Sequence, residues 1–264
     1  LAEIPTRGGP TPQSLYQGPE IDESFDRNLC STLRAQEPVE LLSKWDDMWL
    51  VRTRYTLGWI AADAPLSPEV PADRRQQLVL GDKYVLAAES ELAGARLPDH
   101  TQLAALARDR VIVAKATGFE EAAAPAGATW SRRPLARRAL LTEAFAYLDS
   151  PYGWGGRDGG RDCSRFLMDV FASFGLTLPR HSATLAKATS MRIDVSGVES
   201  SDEKLSLMRA AHERGIVLLH FPGHVMLLAG FDGDQPMAIH AFAEYAETCS
   251  EPSAANSEQL RRAD

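Results

Sequence analysis

The sequence predicts an α+β protein of more than one domain, and three observations carry that prediction. The first half reads as short β-patterned runs cut by turn-prone residues. From Pro134 the apolar spacing becomes helical. After Gly215, three apolar strands follow in close succession. At 264 residues the chain is too long for one small domain and comfortable for two or three.

Residues 1–28 hold four prolines and three glycines with no apolar period, which predicts an extended arm. Residues 29–80 contain runs at Ser31–Leu33, Val39–Leu42, Trp49–Arg52 and Gly58–Ile60, and short strands with close turns suggest a small barrel. Residues 81–133 carry the runs Lys83–Ala88 and Val111–Ala116, either a second such barrel or part of one elaborated domain. The stretch Ala122–Ala128 reads as a loop ahead of a third unit, 134–264.

That unit opens with a helix whose inner face is read as Leu141, Ala144, Phe145 and Leu148, ended by Asp149-Ser150-Pro151. A glycine-rich loop follows, repeating Gly-Gly-Arg-Asp at 155–158 and 159–162; with no Gly-Lys-Ser/Thr after it, phosphate cradling is not indicated. Next comes a strong helix signal, with Phe166, Leu167, Val170, Phe171 and Phe174 at helical spacing, Asp162 or Ser164 as N-cap and Gly175 as the stop. Cys163 falls in its first turn. There the helix dipole and free N–H groups favour a thiolate and can cradle an oxyanion. Residues 183–214 predict loops and a surface helix around Leu205–Ala211.

A nucleophile needs a base. Of six histidines, His224 opens one predicted strand and His240 sits on the next. A three- or five-residue hairpin loop would make them diagonal neighbours on one face, roughly 7 to 8 Å apart. A two- or four-residue loop would put them on opposite faces. His100, His212 and His220 read as structural and His181 as a rim residue. Cys163, His224 and His240 also suit zinc by ligand type, but no carboxylate is evident to orient the histidines. After Tyr245 the chain turns polar, as a tail or a domain lacking its closing strand.

A net charge of −8 and a pI near 5.3 argue against nucleic acid and anionic membrane surfaces as partners. No run approaches the ~20 apolar residues of a membrane span. The chain starts at Leu1 and shows no signal peptide, which fits a processed chain or a fragment. Of the three cysteines one must stay free, and whether Cys30 and Cys249 pair is open.

The stretch GWGGRDGGRDCSRFLMDVFASFGLTLPRHS, then GHVMLLAG and IHA, resembles the NlpC/P60 family of bacterial cell-wall cysteine peptidases over roughly residues 135 to 245. The resemblance implies a papain-like α+β domain with Cys163 as nucleophile, His224 as base, His240 as the orienting residue and Tyr152 lining the site near the oxyanion. Arg165 departs from the pattern, since most members carry Gly after Asp-Cys-Ser. The first half, with its Pro-Val-Glu-Leu-Leu, Trp-Leu-Val-Arg-Thr and Gly-Trp-Ile, resembles bacterial SH3 domains.

What the resemblance implies is a cysteine endopeptidase cutting the γ-D-glutamyl–diamino acid bond of murein peptides, without a cofactor. In members with SH3 domains, positions matching Asp162, Ser164 and Ser182 bind the free amine of an L-Ala end. Trp49, Tyr55 and Trp59 are then expected to wall the groove. The implied location is the cell envelope, periplasm or exterior, with cytoplasmic recycling as the other setting. A non-catalytic wall-binding protein and a thiol amidase or acyltransferase are the rival readings. The oligomeric state is not encoded in any recognisable signal.

Overall fold

The proline-rich arm folds into a sheet. In the computed structural model, which describes residues 4–18, 21–248 and 258–262, β1 (Ile4–Arg7) pairs antiparallel with β2 (Leu29–Leu33). With β3 (Glu40–Trp45), β4 (Met48–Arg52) and β5 (Leu57–Ala61) they form a five-stranded antiparallel sheet ordered β2-β1-β5-β4-β3. Alternate residues Leu33, Val51 and Ile60 point inward as its core. The arm is held down by side chains as well. Asn28 Nδ2 donates to the Thr11 and Gln13 carbonyls, and Asp26 accepts from Leu15 N and pairs with Arg7.

After the short helix α1 (Arg75–Leu80) come β6 (Lys83–Val85), β7 (Ser90–Leu92), β8 (Ala95–Leu97), β9 (Gln102–Ala107), β10 (Arg110–Lys115), β11 (Gly118–Ala123) and β12 (Thr129–Trp130). Five of these make a second antiparallel sheet, β11-β10-β9-β6-β12, while β7 and β8 pair separately. Leu97, Leu103, Val111 and Val113 are fully enclosed in its core. Neither sheet closes, so the expected barrels are open sheets. The β2 side of the first sheet instead makes contacts beyond the sheet. The Thr32 carbonyl accepts from Arg165 Nη1 at 2.9 Å, and Gln36 exchanges hydrogen bonds with the Ala114 backbone of the second sheet.

The third part contains α2 (Arg137–Phe145), a 3₁₀ stretch at Trp154–Gly159, α3 (Cys163–Ala172), α4 (Ser182–Leu185) and α5 (Ser201–Arg214). Strands β13 (Leu218–Phe221), β14 (His224–Asp232) and β15 (Gln235–Ile239) then form a three-stranded sheet in that order. Strands β16 (Glu244–Thr248) and β17 (Glu258–Arg262) pair with each other, where a tail or a domain lacking its closing strand was expected. The whole is a mixed α+β fold. The inner face of α2 is Leu140 and Ala144, continued by Tyr147, and Phe145 and Leu148 stay exposed. Tyr147 decides this phase: its ring lies edge-on to Phe166 at 5.8 Å and its hydroxyl meets His100 Nδ1 at 2.8 Å.

All ten residues of α3 are buried, the pattern of a helix enclosed on every side. Phe166, Leu167, Val170 and Phe171 pack with Leu140, Val225 and Leu227, each contributing about 1.5–3 kcal/mol by burial. The opposite side, bearing Arg165 and Asp169, faces the N-terminal sheets. That explains Arg165, since a glycine there would leave the Thr32 carbonyl without this donor.

The glycine-rich loop approaches β2 closely enough to exclude side chains. At Gly155 (φ +68°) a Cβ would lie 2.7 Å from Leu29 Cγ, and at Gly156 (φ +89°) it would collide with Thr32 Oγ1. We therefore expect Gly156→Ala to lower stability by about 1–3 kcal/mol, read as a shifted denaturant midpoint at constant slope. A midpoint equal to the parent's would mean the loop can lift off β2 without penalty.

Candidate active site

Asp162 is the N-cap that starts α3: it has extended backbone and its Oδ1 accepts from Arg165 N at 2.9 Å. Cys163 follows as the first helical residue and is 7% exposed, with Sγ 4.0 Å from the Gly223 carbonyl. Burial pushes its thiol up from the ordinary value, and the Asp162 carboxylate adds to this. Backbone N–H groups of Val225 and Ser164, and the Arg180 charge, pull the other way and do not win. The thiolate expected from the helix dipole alone is thus outweighed, and the resting group is a thiol.

His224 and His240 meet. Their rings are 5.0 Å apart, and His224 Nε2 lies 2.8 Å from His240 Nδ1. The route to this contact differs from both loop cases. The hairpin turn is the two-residue Gly233-Asp234, with Asp232 opposite Gln235, which alone would set the histidines on opposite faces. A bulge between Leu228 and Gly230 inserts one residue into β14 and shifts the register back, so Leu227 faces Ile239. The diagonal relation of residues 224 and 240 is restored. Phe221 and Phe242 flank the pair, with centroids 5.2 Å from His224 and 4.6 Å from His240. Burial holds both imidazoles below the ordinary histidine range, and His240 adds to this for His224.

These directions fix an expected pH dependence. With the thiol raised and the imidazole lowered, both groups are neutral at pH 7, and thiolate accumulates only as pH climbs past the ordinary cysteine range of about 8.5. Alkylation of Cys163 by iodoacetamide should therefore rise steadily with pH and show no plateau between pH 5 and 7. A plateau there would mean that a thiolate–imidazolium pair forms at rest.

The remaining expected site residues sit around α3. Tyr152 is half-buried before the 3₁₀ stretch, and burial, Asp162 and Cys163 all raise its phenol. Ser164 is buried, donating to Asp162 Oδ1 and accepting from Arg180 Nη1 at 2.7 Å. Ser182 is the first residue of α4 and half-buried. Asp162 does not present a free carboxylate. Both its oxygens accept from Arg180, at 2.5 and 3.0 Å, and Gly155 N donates to Oδ2. Burial favours the neutral acid, but Arg180 and the backbone donors overcome it and keep Asp162 ionised. The carboxylate therefore already carries one counter-charge from inside the protein.

Arg180 is the residue that sequence reasoning left without a role, although it stands in the quoted Leu-Pro-Arg motif. Besides Asp162 it reaches Ser31 Oγ at 3.0 Å, and its N–H donates to the Tyr55 carbonyl. Phe25 of the arm was missed too. Its ring lies 6.4 Å from Tyr152 and 5.3 Å from Trp154, whose Nε1 donates to the Asp26 carbonyl. The aromatic neighbour of Tyr152 thus comes from the arm. Tyr55 is instead hydrogen-bonded to Glu37, and Trp49 packs against the first sheet's core.

His181 is exposed and caps α4 through Nδ1, and His220 is exposed on β13. Among the described residues no cluster of three or more metal-ligating side chains occurs, and Cys30 and Cys163 are free thiols; Cys249 lies outside the described residues.

Residues 149–247 match the NlpC/P60 family. Over 93 residues, 34% of this chain, the sequence is 38% identical to the gamma-D-glutamyl-L-lysine dipeptidyl-peptidase of Bacillus subtilis (strain 168), and the match spans 28% of that protein's length. Two solved structures share the fold. An NlpC/P60 endopeptidase from Photobacterium damselae subsp. piscicida superposes with a TM-score of 0.73 at 19% identity, covering 92% of this chain and 60% of its own. An NlpC/P60 family protein from Bacillus cereus ATCC 10987 gives 0.57 at 18% identity, covering 87% and 85%.

Proposed function

We infer, from the premise that residues 149–247 belong to the NlpC/P60 family of cysteine peptidases, that this chain hydrolyses cell-wall peptides at the γ-D-glutamyl–diamino acid bond. The observation that carries the reading is the His224–His240 contact at 2.8 Å beside the helix that Cys163 opens. In the reading, Cys163 is the nucleophile and His224 its base. The His224 Nε2–H donates to His240 Nδ1, which fixes the tautomer and leaves His224 Nδ1 unprotonated to take the thiol proton. His240 positions the ring and stabilises the imidazolium that forms. The Cys163 N–H and the Tyr152 hydroxyl hold the oxyanion. His224 then protonates the leaving amine, and water releases the acyl group. The reading invokes no cofactor.

The two sheets, the first of which takes in β1 of the arm, are read as SH3-like units ahead of a catalytic unit at 134–264, with the protein acting at the cell envelope. For the free L-Ala amine, Tyr152 and Ser182 offer hydroxyl acceptors without a free carboxylate. A hydrogen bond from the substrate ammonium to a hydroxyl is worth about 1.5–3 kcal/mol, roughly ten- to a hundredfold in discrimination.

Incubation with L-Ala-γ-D-Glu-diamino acid peptides, read by mass spectrometry, tests the reading. The expected product is the L-Ala-γ-D-Glu dipeptide, released from free peptides roughly ten- to a hundredfold faster than from N-acetylated ones. Cleavage elsewhere, or none, removes the proposed bond. A preference well above a hundredfold would show that a carboxylate does meet the amine.

A further inference from the structure

A crevice of about 60 Å³ lies where the three parts of the chain meet, lined from the β4–β5 turn, the start of β6 and the second half of α3. A space of that size takes roughly four waters. Part of its lining is apolar, made by Val79, Met168, Ala172, Leu176 and Leu178. The charged groups in the lining are Arg34, Glu37, Arg54 and Lys83. Two of the four are already engaged. Arg34 pairs with Asp169, and Glu37 Oε2 accepts from the Tyr55 hydroxyl and the Arg34 N–H. Burial also raises the Glu37 carboxyl toward its neutral form.

Lys83 and Arg54 are held differently. Lys83 is 8% exposed, and Ser131 fixes its backbone: Lys83 N donates to Ser131 Oγ at 3.0 Å, and Ser131 N to the Lys83 carbonyl at 2.9 Å. The ammonium carries three N–H donors, and its described acceptor is the Leu78 carbonyl at 2.5 Å, a neutral group. A buried ammonium is costly without an anion beside it. Burial draws Lys83 down to about 8, and repulsion from Arg54 adds to this. Asp82 pulls the other way, but its carboxylate is bonded to Arg132 at 2.7 Å. Arg54 is exposed and makes no hydrogen bond or ion pair among the described residues. Two cations thus line the crevice, and no described carboxylate is bonded to either.

We propose that this crevice binds a short aliphatic carboxylate, with its head group between Lys83 and Arg54 and its chain along Met168, Leu176 and Leu178. The head group supplies acceptors for the remaining N–H groups of the ammonium and for the Arg54 fork. The chain covers apolar lining, which favours a tailed monocarboxylate over an inorganic anion. The site is apart from the nucleophile: Cys163 opens α3, whereas Met168 and Ala172 lie in its second half.

The test is titration calorimetry of the intact chain with sodium butyrate, against acetate, 1-butanol and chloride at equal ionic strength. Butyrate should give a saturable heat and bind at least about tenfold tighter than acetate, since it buries two more methylenes. Butanol, which lacks the charge, should give none. A bound carboxylate favours the charged form of Lys83, so binding at pH 8 should take up protons. That uptake appears as a heat that varies with the ionisation enthalpy of the buffer, and affinity should fall from pH 7 to pH 9. In Lys83→Met the butyrate heat and the proton uptake should both vanish. Arg54→Gln, at an exposed position, keeps the fold testable and should weaken binding at least about threefold. No saturable heat beyond the chloride control overturns the proposal, as do equal affinities for acetate and butyrate, butanol binding like butyrate, no proton uptake at pH 8, or undiminished binding in the folded variants. Peptide hydrolysis is not part of the readout, so this result stands apart from the proposed activity.

Discussion

Cys163→Ala should lower peptide hydrolysis by a factor on the order of 10⁴ or more while the protein stays folded. The thiol is the only atom exchanged. Its Sγ lies 4.0 Å from the Gly223 carbonyl, too long to hold much energy. The side chain contributes little volume to a core dominated by Phe166, Leu167 and Leu227, so the stability cost should be about 1 kcal/mol. Circular dichroism and the unfolding midpoint would report an intact fold, and a coupled peptide assay the lost turnover. Retention of a tenth of parental turnover would sink the cysteine mechanism outright.

The largest expected effect on stability belongs to Arg180→Met. The pair Arg180–Asp162 is buried, with side chains 8% and 10% exposed. Removing one partner leaves an uncompensated charge at the start of α3 and costs about 3–5 kcal/mol. The sign with pH follows from Asp162, whose folded carboxyl is held below its ordinary value chiefly by Arg180 against the opposing effect of burial. Its contribution is present above the unfolded value of about 4 and is lost as pH falls through the lower folded one. Parental stability should therefore fall in acid, and the part due to Asp162 should be missing in Arg180→Met. Chemical denaturation at pH 7 and at about pH 2 measures both. Adding Asp162→Asn to Arg180→Met should recover part of the loss, because the buried charge goes with it. A double variant no better than the single one would mean that Arg180 acts through Ser31 and the Tyr55 carbonyl instead.

Local patterns were easy to read where one residue's environment is set by its near neighbours. The α3 helix, its Asp162 cap and the strand positions of β4 and β5 all follow from spacing and capping chemistry over a few residues. The histidine contact was legible only conditionally. A two-residue turn and a bulge each shift the register by one, and their sum looks like a three-residue loop. No residue type marks that bulge. The inner face of α2 was misread because Tyr147 counts as polar in a pattern but buries its ring here. The charge state of Asp162 depends on Arg180, 18 residues on, and on backbone donors from the loop before it. Such compensation is invisible to spacing, as is the partner that pulls a proline-rich arm into a sheet.

The reach of Arg180 to Ser31 spans 149 residues, and that of Arg165 to Thr32 spans 133. Contacts so distant along the chain form late, since a long segment must be ordered before they close. During synthesis the edge of β2 emerges well before the helix that completes it, and it waits as an open strand edge prone to wrong pairing. The same delay has a protective side. Until Arg180 has been made and folded back, Asp162 lacks its counter-charge and the start of α3 lacks its brace, so an unfinished chain carries no assembled thiol site. Assembly of the start of α3 around Cys163 thereby waits on chain length.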